Sequence, residues 1–238
     1  MHQLTNGYHM TLQTYRRGTD PELFSWYHAM YGQEDARGLA NESRARYGAE
    51  CDPRCNPLVL CLSHKKRMRV NALQNERLKP HGALHCVWEG EDLRGTTMQP
   101  QSMHVWLGLE LIGCPRGTGK QLTVQGVLYA VTNIGEDALE LQMLPEYRHG
   151  ASDEKVSVPL DEVCAQLRLA HAMCYYTVQG RTVRDRHIVL LDVEHQHFSV
   201  RALIVGLSRA THGRWLHIGD SDSEALFGGE RVVRQRRA

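Results

Sequence analysis

Ala170-His171-Ala172-Met173-Cys174-Tyr175-Tyr176-Thr177-Val178-Gln179-Gly180-Arg181-Thr182 is the stretch whose reading decides the fold of this 238-residue chain. It is followed by the run Ile188-Val189-Leu190-Leu191-Asp192-Val193 and then by Val205-Gly206-Leu207-Ser208-Arg209-Ala210-Thr211. Gln179, Gly180 and Thr182 make a short polar turn whose glycine lets the backbone approach a phosphate closely. The run from Ile188 is continuously apolar, as in a strand covered on both faces. Over 199–210, Val200, Leu203, Ile204 and Leu207 form one stripe at helical spacing. Continuing that helix to Arg209 puts its side chain roughly 170° from the stripe at about 100° per residue, so it is expected to point away from its own core.

Outward from this stretch, strand and helix signals alternate. Asp20-Pro21-Glu22 supplies a capping carboxylate, a proline at the first helical position and an acid in the first turn, and Leu23, Trp26, Tyr27 and Met30 follow at helical spacing before Gly32. Residues 33–57 are polar and read as a helix fragment and a loop. Leu58-Val59-Leu60-Cys61-Leu62 is a second buried strand, and 65–78 reads as a helix closed by Pro80. Between 81 and 159 the strand-like pieces 84–88, 103–112, 121–132 and 138–144 alternate with turn residues, which predicts a small β-barrel insert. A helix is expected over 160–173 and a last strand over 214–218. The resulting fold class is α/β, with one domain built from 1–83 and 158–238 and interrupted by the insert 84–157.

The bulk numbers allow a nucleic-acid partner without requiring one. Lys plus Arg is 28 against 27 for Asp plus Glu, so any phosphate attraction rests on local clusters. Those are His64-Lys65-Lys66-Arg67-Met68-Arg69 and the Arg-rich residues 231–237. No apolar run approaches the ~20 residues of a membrane helix. Seven irregularly spaced cysteines do not make a disulfide framework and read as reduced thiols. A soluble intracellular protein with no membrane partner is expected, cytoplasm and nucleus not being distinguished.

The opening stretch and the Leu207-Ser208-Arg209-Ala210 run resemble motifs V and VI of superfamily 1 helicases, especially the RecD-like branch, in order, in spacing and in the strand between them. Leu12-Gln13-Thr14-Tyr15-Arg16-Arg17 looks like the family segment after motif III, and 58–75 resembles its next strand, loop and helix, which faces nucleic acid. The resemblance implies a RecA-like second motor domain in which single-stranded DNA translocation is coupled to ATP hydrolysis between two such domains. It assigns Tyr15 to the nucleotide base, Arg16 and Arg209 to the γ-phosphate, and Gln179 and Gly180 to the nucleotide. Thr182, Tyr176, Ser63, His64, Lys65 and Asn71 fall on the nucleic-acid side. The 238 residues contain neither a phosphate loop nor an Asp-Glu magnesium motif, so ATP and Mg2+ are expected only with an N-terminal motor half, for which a separate polypeptide is a candidate. Cys174-Tyr175-Tyr176-Thr177-Val178 departs from the family's usual Thr-Ile-His-Lys-Ser, and stacking on Tyr176 is the expected replacement. The alternative reading is a non-catalytic nucleic-acid-binding or regulatory protein derived from a helicase.

Three other motifs are weighed and set aside. Gly113-Cys114-Pro115-Arg116-Gly117-Thr118-Gly119-Lys120 has one residue too many for a phosphate loop, Gln121 replaces the magnesium hydroxyl, and a strand pattern follows where a helix is needed. It reads as a hairpin. Cys51 and Cys55 with His85 and Cys86 lack a familiar zinc spacing, and His195 with His197 lacks a third ligand, so no metal site is expected.

Overall fold

Leu58–Cys61 (β1) is buried at every residue because it has a strand on either side and helices above and below. The computed structural model describes residues 18–48, 51–90, 100–115, 121–145, 155–219 and 226–227. Within it β1 pairs in parallel with Ala172–Cys174 (β9) and Ile188–Leu190 (β10), and β10 pairs in parallel with Leu216–Ile218 (β11). The sheet order is β11-β10-β1-β9. One face packs Leu58, Leu60, Ile188, Leu190, Leu216 and Ile218 against Pro21–Ala29 (α1), Ala36–Tyr47 (α2) and Val200–Leu207 (α5). The other face presents Val59, Cys61, Ala172 and Val189 to His64–Leu78 (α3). Gly206 lets α5 come down on β10, since a Cβ there would meet Leu190 Cδ2 at 2.7 Å.

The capping expected at residue 20 is present, with Asp20 Oδ1 accepting from Leu23 N at 3.0 Å. The β region is an antiparallel sheet in the order β7-β6-β5-β4-β8, formed by Glu110–Gly113 (β4), Leu128–Ile134 (β5), Ala138–Met143 (β6), Lys155–Pro159 (β7) and Leu167–Leu169 (β8). A ribbon of Leu84–Cys86 (β2) and Met103–Val105 (β3) shares its apolar core. Among the described residues no ladder joins β7 to β8, so the barrel expectation becomes an open sheet plus a ribbon.

The helix expected over 160–173 is corrected. A 3-10 turn and the four-residue helix Val163–Gln166 (α4) end at Leu167, where the chain becomes β8, paired with β4, and then β9, paired with β1. The eight residues 167–174 thus serve both sheets, and long-range ladders override the local apolar spacing. Gly113 behaves as the hairpin reading requires, donating to Val127 O and accepting from Gly126 N, both at 2.8 Å. Arg116 and Lys120 lie outside the described residues.

Helix α3 joins the two sheets through a buried polar stripe. Asn71 accepts from Ala172 N at 2.7 Å and donates to Leu169 O at 3.2 Å, while Asn75 exchanges 2.7 and 2.8 Å hydrogen bonds with the His104 backbone. The structure therefore withdraws Asn71 from the nucleic-acid contacts, because it is 2% exposed and its amide is committed to the β8–β9 turn. Asn71→Ala should lower stability by about 2–3 kcal/mol in a urea titration, because a buried N–H and a carbonyl lose their partners. A change below about 0.5 kcal/mol would contradict that bracing role.

Candidate nucleotide and nucleic-acid interface

In a parallel sheet the loops leaving the carboxyl ends of the strands are where ligands gather. Ser63 follows β1, Tyr176 follows β9 and Asp192 follows β10, so these three loops meet at one edge. Ser63 caps α3 with its hydroxyl 3.2 Å from Lys66 N. Asp192, held at φ +64, accepts from Leu62 N at 2.8 Å and pairs with Lys66 Nζ, which cross-links the β10 and β1 loops. Lys65 is exposed beside this pair.

His64 and Tyr176 form the open part of the edge. Their rings stand edge to face at 5.4 Å, the Tyr176 hydroxyl bonds to His64 Nε2, and Tyr176 keeps 54% of its surface exposed. Burial, with the charges of Arg67 and Arg168 next, holds the His64 pKa below its ordinary value, so the ring is neutral at pH 7.

Beneath them lie two residues outside the expected site, one of them from the basic run and the other without any sequence signal. Arg67 of α3 is 3% exposed and Arg168 of β8 is 9% exposed. Arg67 Nε and Nη1 and Arg168 Nε have no hydrogen-bond partner among the described residues. Burial first, and the charge of Arg168 next, push the Arg67 guanidinium below its ordinary pKa. Two buried like charges without a carboxylate ion pair among the described residues are costly, and a bound anion offsets that cost. The basic run around 64–69 signalled Arg67. Arg168 had no sequence signal, because its segment read as helix rather than as a strand facing α3.

The polar turn around Gln179 and Gly180 is present. Gly180 sits at φ +82, Arg181 N donates to Val178 O at 3.2 Å, and Gln179 and Gly180 are exposed while Thr182 is half-buried. Gln179 borders a cleft with Tyr31, Gln33, Arg201 and Val205. Tyr15 and Arg16 lie outside the described residues.

Arg209 is corrected in orientation. It is 6% exposed and donates to Arg181 O at 2.7 Å, Val178 O at 3.4 Å, Val205 O at 3.0 Å and Ser208 Oγ at 2.9 Å. The helical projection fails because α5 stops at Leu207, and Ala210 turns back to bridge Val183. The 178–182 turn and the 207–210 run are therefore one hydrogen-bonded unit with Arg209 as its clasp.

No protein-family model matches the sequence, and no curated protein does. Among solved structures, a Pif1 helicase from a study of unwinding at forked double-stranded DNA by two coordinating Pif1 helicases matches at a TM-score of 0.59 and 12% identity, covering 91% of this chain and 51% of that one. Bacteroides Pif1 bound to single-stranded DNA matches at 0.59 and 14%, covering 91% and 53%. Bacteroides Pif1 in complex with ADP-AlF3 and single-stranded DNA matches at 0.56 and 14%, covering 88% and 51%. The chain spans about half the length of these helicases, and at these identities the likeness is one of fold.

Proposed function

We propose that this chain, which has the fold of about half of a Pif1 helicase, is the C-terminal motor half of a superfamily 1 DNA helicase and holds single-stranded DNA across the loops after β1 and β9. The observation that carries this reading is the pair Arg67 and Arg168, buried without partners for three of their nitrogens beneath an exposed aromatic ring at the start of a 15-residue helix. In this reading the two buried guanidiniums supply positive potential to a backbone phosphate held at the exposed start of α3, and a base stacks on Tyr176. Ser63, His64, Lys65 and Thr182 border the same path. ATP and Mg2+ bind in the motor only where an N-terminal half contributes the phosphate loop, with Gln179, Gly180, Tyr15, Arg16 and Arg209 completing the cleft.

Fluorescence anisotropy with labelled oligonucleotides tests the DNA part. Binding should be indifferent to sequence and should weaken steeply with salt as counterion release stops driving it. Tyr176→Ala should cost about 1–3 kcal/mol of affinity, roughly five- to hundredfold. An unchanged affinity would take Tyr176 off the DNA path.

A second reading is favoured by the inward-bonded Arg209, whose guanidinium donates to its own chain. In it the chain binds nucleic acid without contributing to hydrolysis. The two separate on whether adding an N-terminal motor half produces a DNA-stimulated ATPase that depends on Arg209.

A further inference from the structure

On the α3 side of the parallel sheet, three side chains converge that the DNA and nucleotide readings leave unused. Alternation along β10 sends Val189 and Leu191 into the core under α3, and His187, two residues earlier, points the same way. His217, in register with Val189 on β11, shares that face. Cys51 reaches it from the segment ahead of β1 and packs against the same core. His187 Nδ1 and His217 Nε2 face each other at 2.7 Å, and the Cys51 sulfur and one nitrogen of each ring all lie within 4.8 Å of one another.

This arrangement has the chemistry of a transition-metal site. Two imidazole nitrogens facing each other share one proton, and a cation between them uses both lone pairs while that proton moves to the ring's other nitrogen. With metal bonds of ~2.0–2.1 Å to nitrogen and ~2.3 Å to sulfur, tetrahedral ligand atoms sit roughly 3.3–3.6 Å apart, within reach of small side-chain rotations from the observed spacing. Cys55, exposed, ends the 3-10 turn that follows Cys51 and is the next thiol along the chain. Thiolate and imidazole ligands select zinc-like cations over magnesium or calcium.

We propose that Cys51, His187 and His217, closed by Cys55, bind one zinc-class divalent cation that staples the segment ahead of β1 to β10 and β11. Binding releases one proton from each thiol and none from the imidazoles, because the proton shared between the facing nitrogens moves to its ring's outer nitrogen and the other ring's proton is already there. Cys51 and His187 precede their strands, whereas the DNA loops follow theirs, so the site lies toward the opposite end of the sheet and its role is structural. The proposal stands independently of the helicase reading.

Cobalt(II) titration of the reduced, metal-stripped full chain tests it. The expected result is one equivalent bound, with the visible bands of tetrahedral cobalt, a thiolate-to-cobalt charge-transfer band, and displacement of both by zinc. Cys51→Ser and His217→Gln should abolish the bands. Cys55→Ser, which removes an exposed thiol and leaves the core intact, should weaken binding at least tenfold and remove the zinc-induced rise in melting temperature. His195→Gln with His197→Gln, an exposed pair on another loop, should change nothing. Absence of thiolate bands in the wild type, bands that survive His217→Gln, or unchanged affinity in Cys55→Ser would overturn the site.

Discussion

Arg209→Ala is expected to reduce the ATPase of a motor reconstituted with an N-terminal half by about a hundredfold or more, and also to lower the melting temperature of the chain by itself. The first effect follows from the charge that phosphoryl transfer builds on the departing group, which a guanidinium stabilises mainly in the transition state; turnover falls while nucleotide affinity changes little. The second follows from the clasp. Removing the guanidinium takes the side-chain donor from Arg181 O, leaves Val178 O with the Arg181 N–H alone, and loosens the turn that carries Gln179 and Gly180. That should cost about 2–4 kcal/mol, or roughly 5–15 °C in a chain of this size. Arg16→Ala serves as the contrast, with the same loss of turnover expected by resemblance. Full turnover in Arg209→Ala would favour the non-catalytic reading, and an unshifted melt would show that the clasp contributes nothing.

Arg67→Met and Arg168→Met should separate DNA affinity from stability. Each variant should lose about tenfold or more in single-stranded DNA affinity and show a shallower salt dependence, since each removes a positive charge lying beneath the phosphate path. Stability in the absence of DNA should hold or rise by about 1 kcal/mol, because the change relieves repulsion between two buried cations and replaces a charge with an apolar chain of similar reach. Affinity by anisotropy and stability by urea unfolding, measured on the same preparations, decide this. Loss of stability with unchanged affinity would mean that the arginines brace the fold and touch no phosphate.

Much of the architecture was legible in local pattern. Asp20-Pro21-Glu22 starts a helix because its capping groups are neighbours in sequence, and Leu58–Cys61 and Ile188–Leu190 are strands because every position is apolar. Gly180 takes the positive φ that a turn there needs, and the resemblance of the 170–182 and 205–211 runs to superfamily 1 helicases pointed to the fold that the solved Pif1 structures share. The rest depended on groups brought together from far along the chain. Residues 167–174 are strands only because β4 and β1 supply their ladders, and Arg168 gained significance only when β8 turned it toward Arg67. Helical projection aimed Arg209 outward, but a helix that ends at Leu207 and a bridge to Val183 aimed it into the 178–182 turn. Asn71 fell on the nucleic-acid side by resemblance, whereas two buried backbone groups claim its amide, and Cys51 found its neighbours in His187 and His217 rather than in His85 and Cys86. Periodicity and capping act within a few residues and can be read from the sequence, whereas charge compensation, ligand convergence and ladder partners act through space and are decided only by the fold.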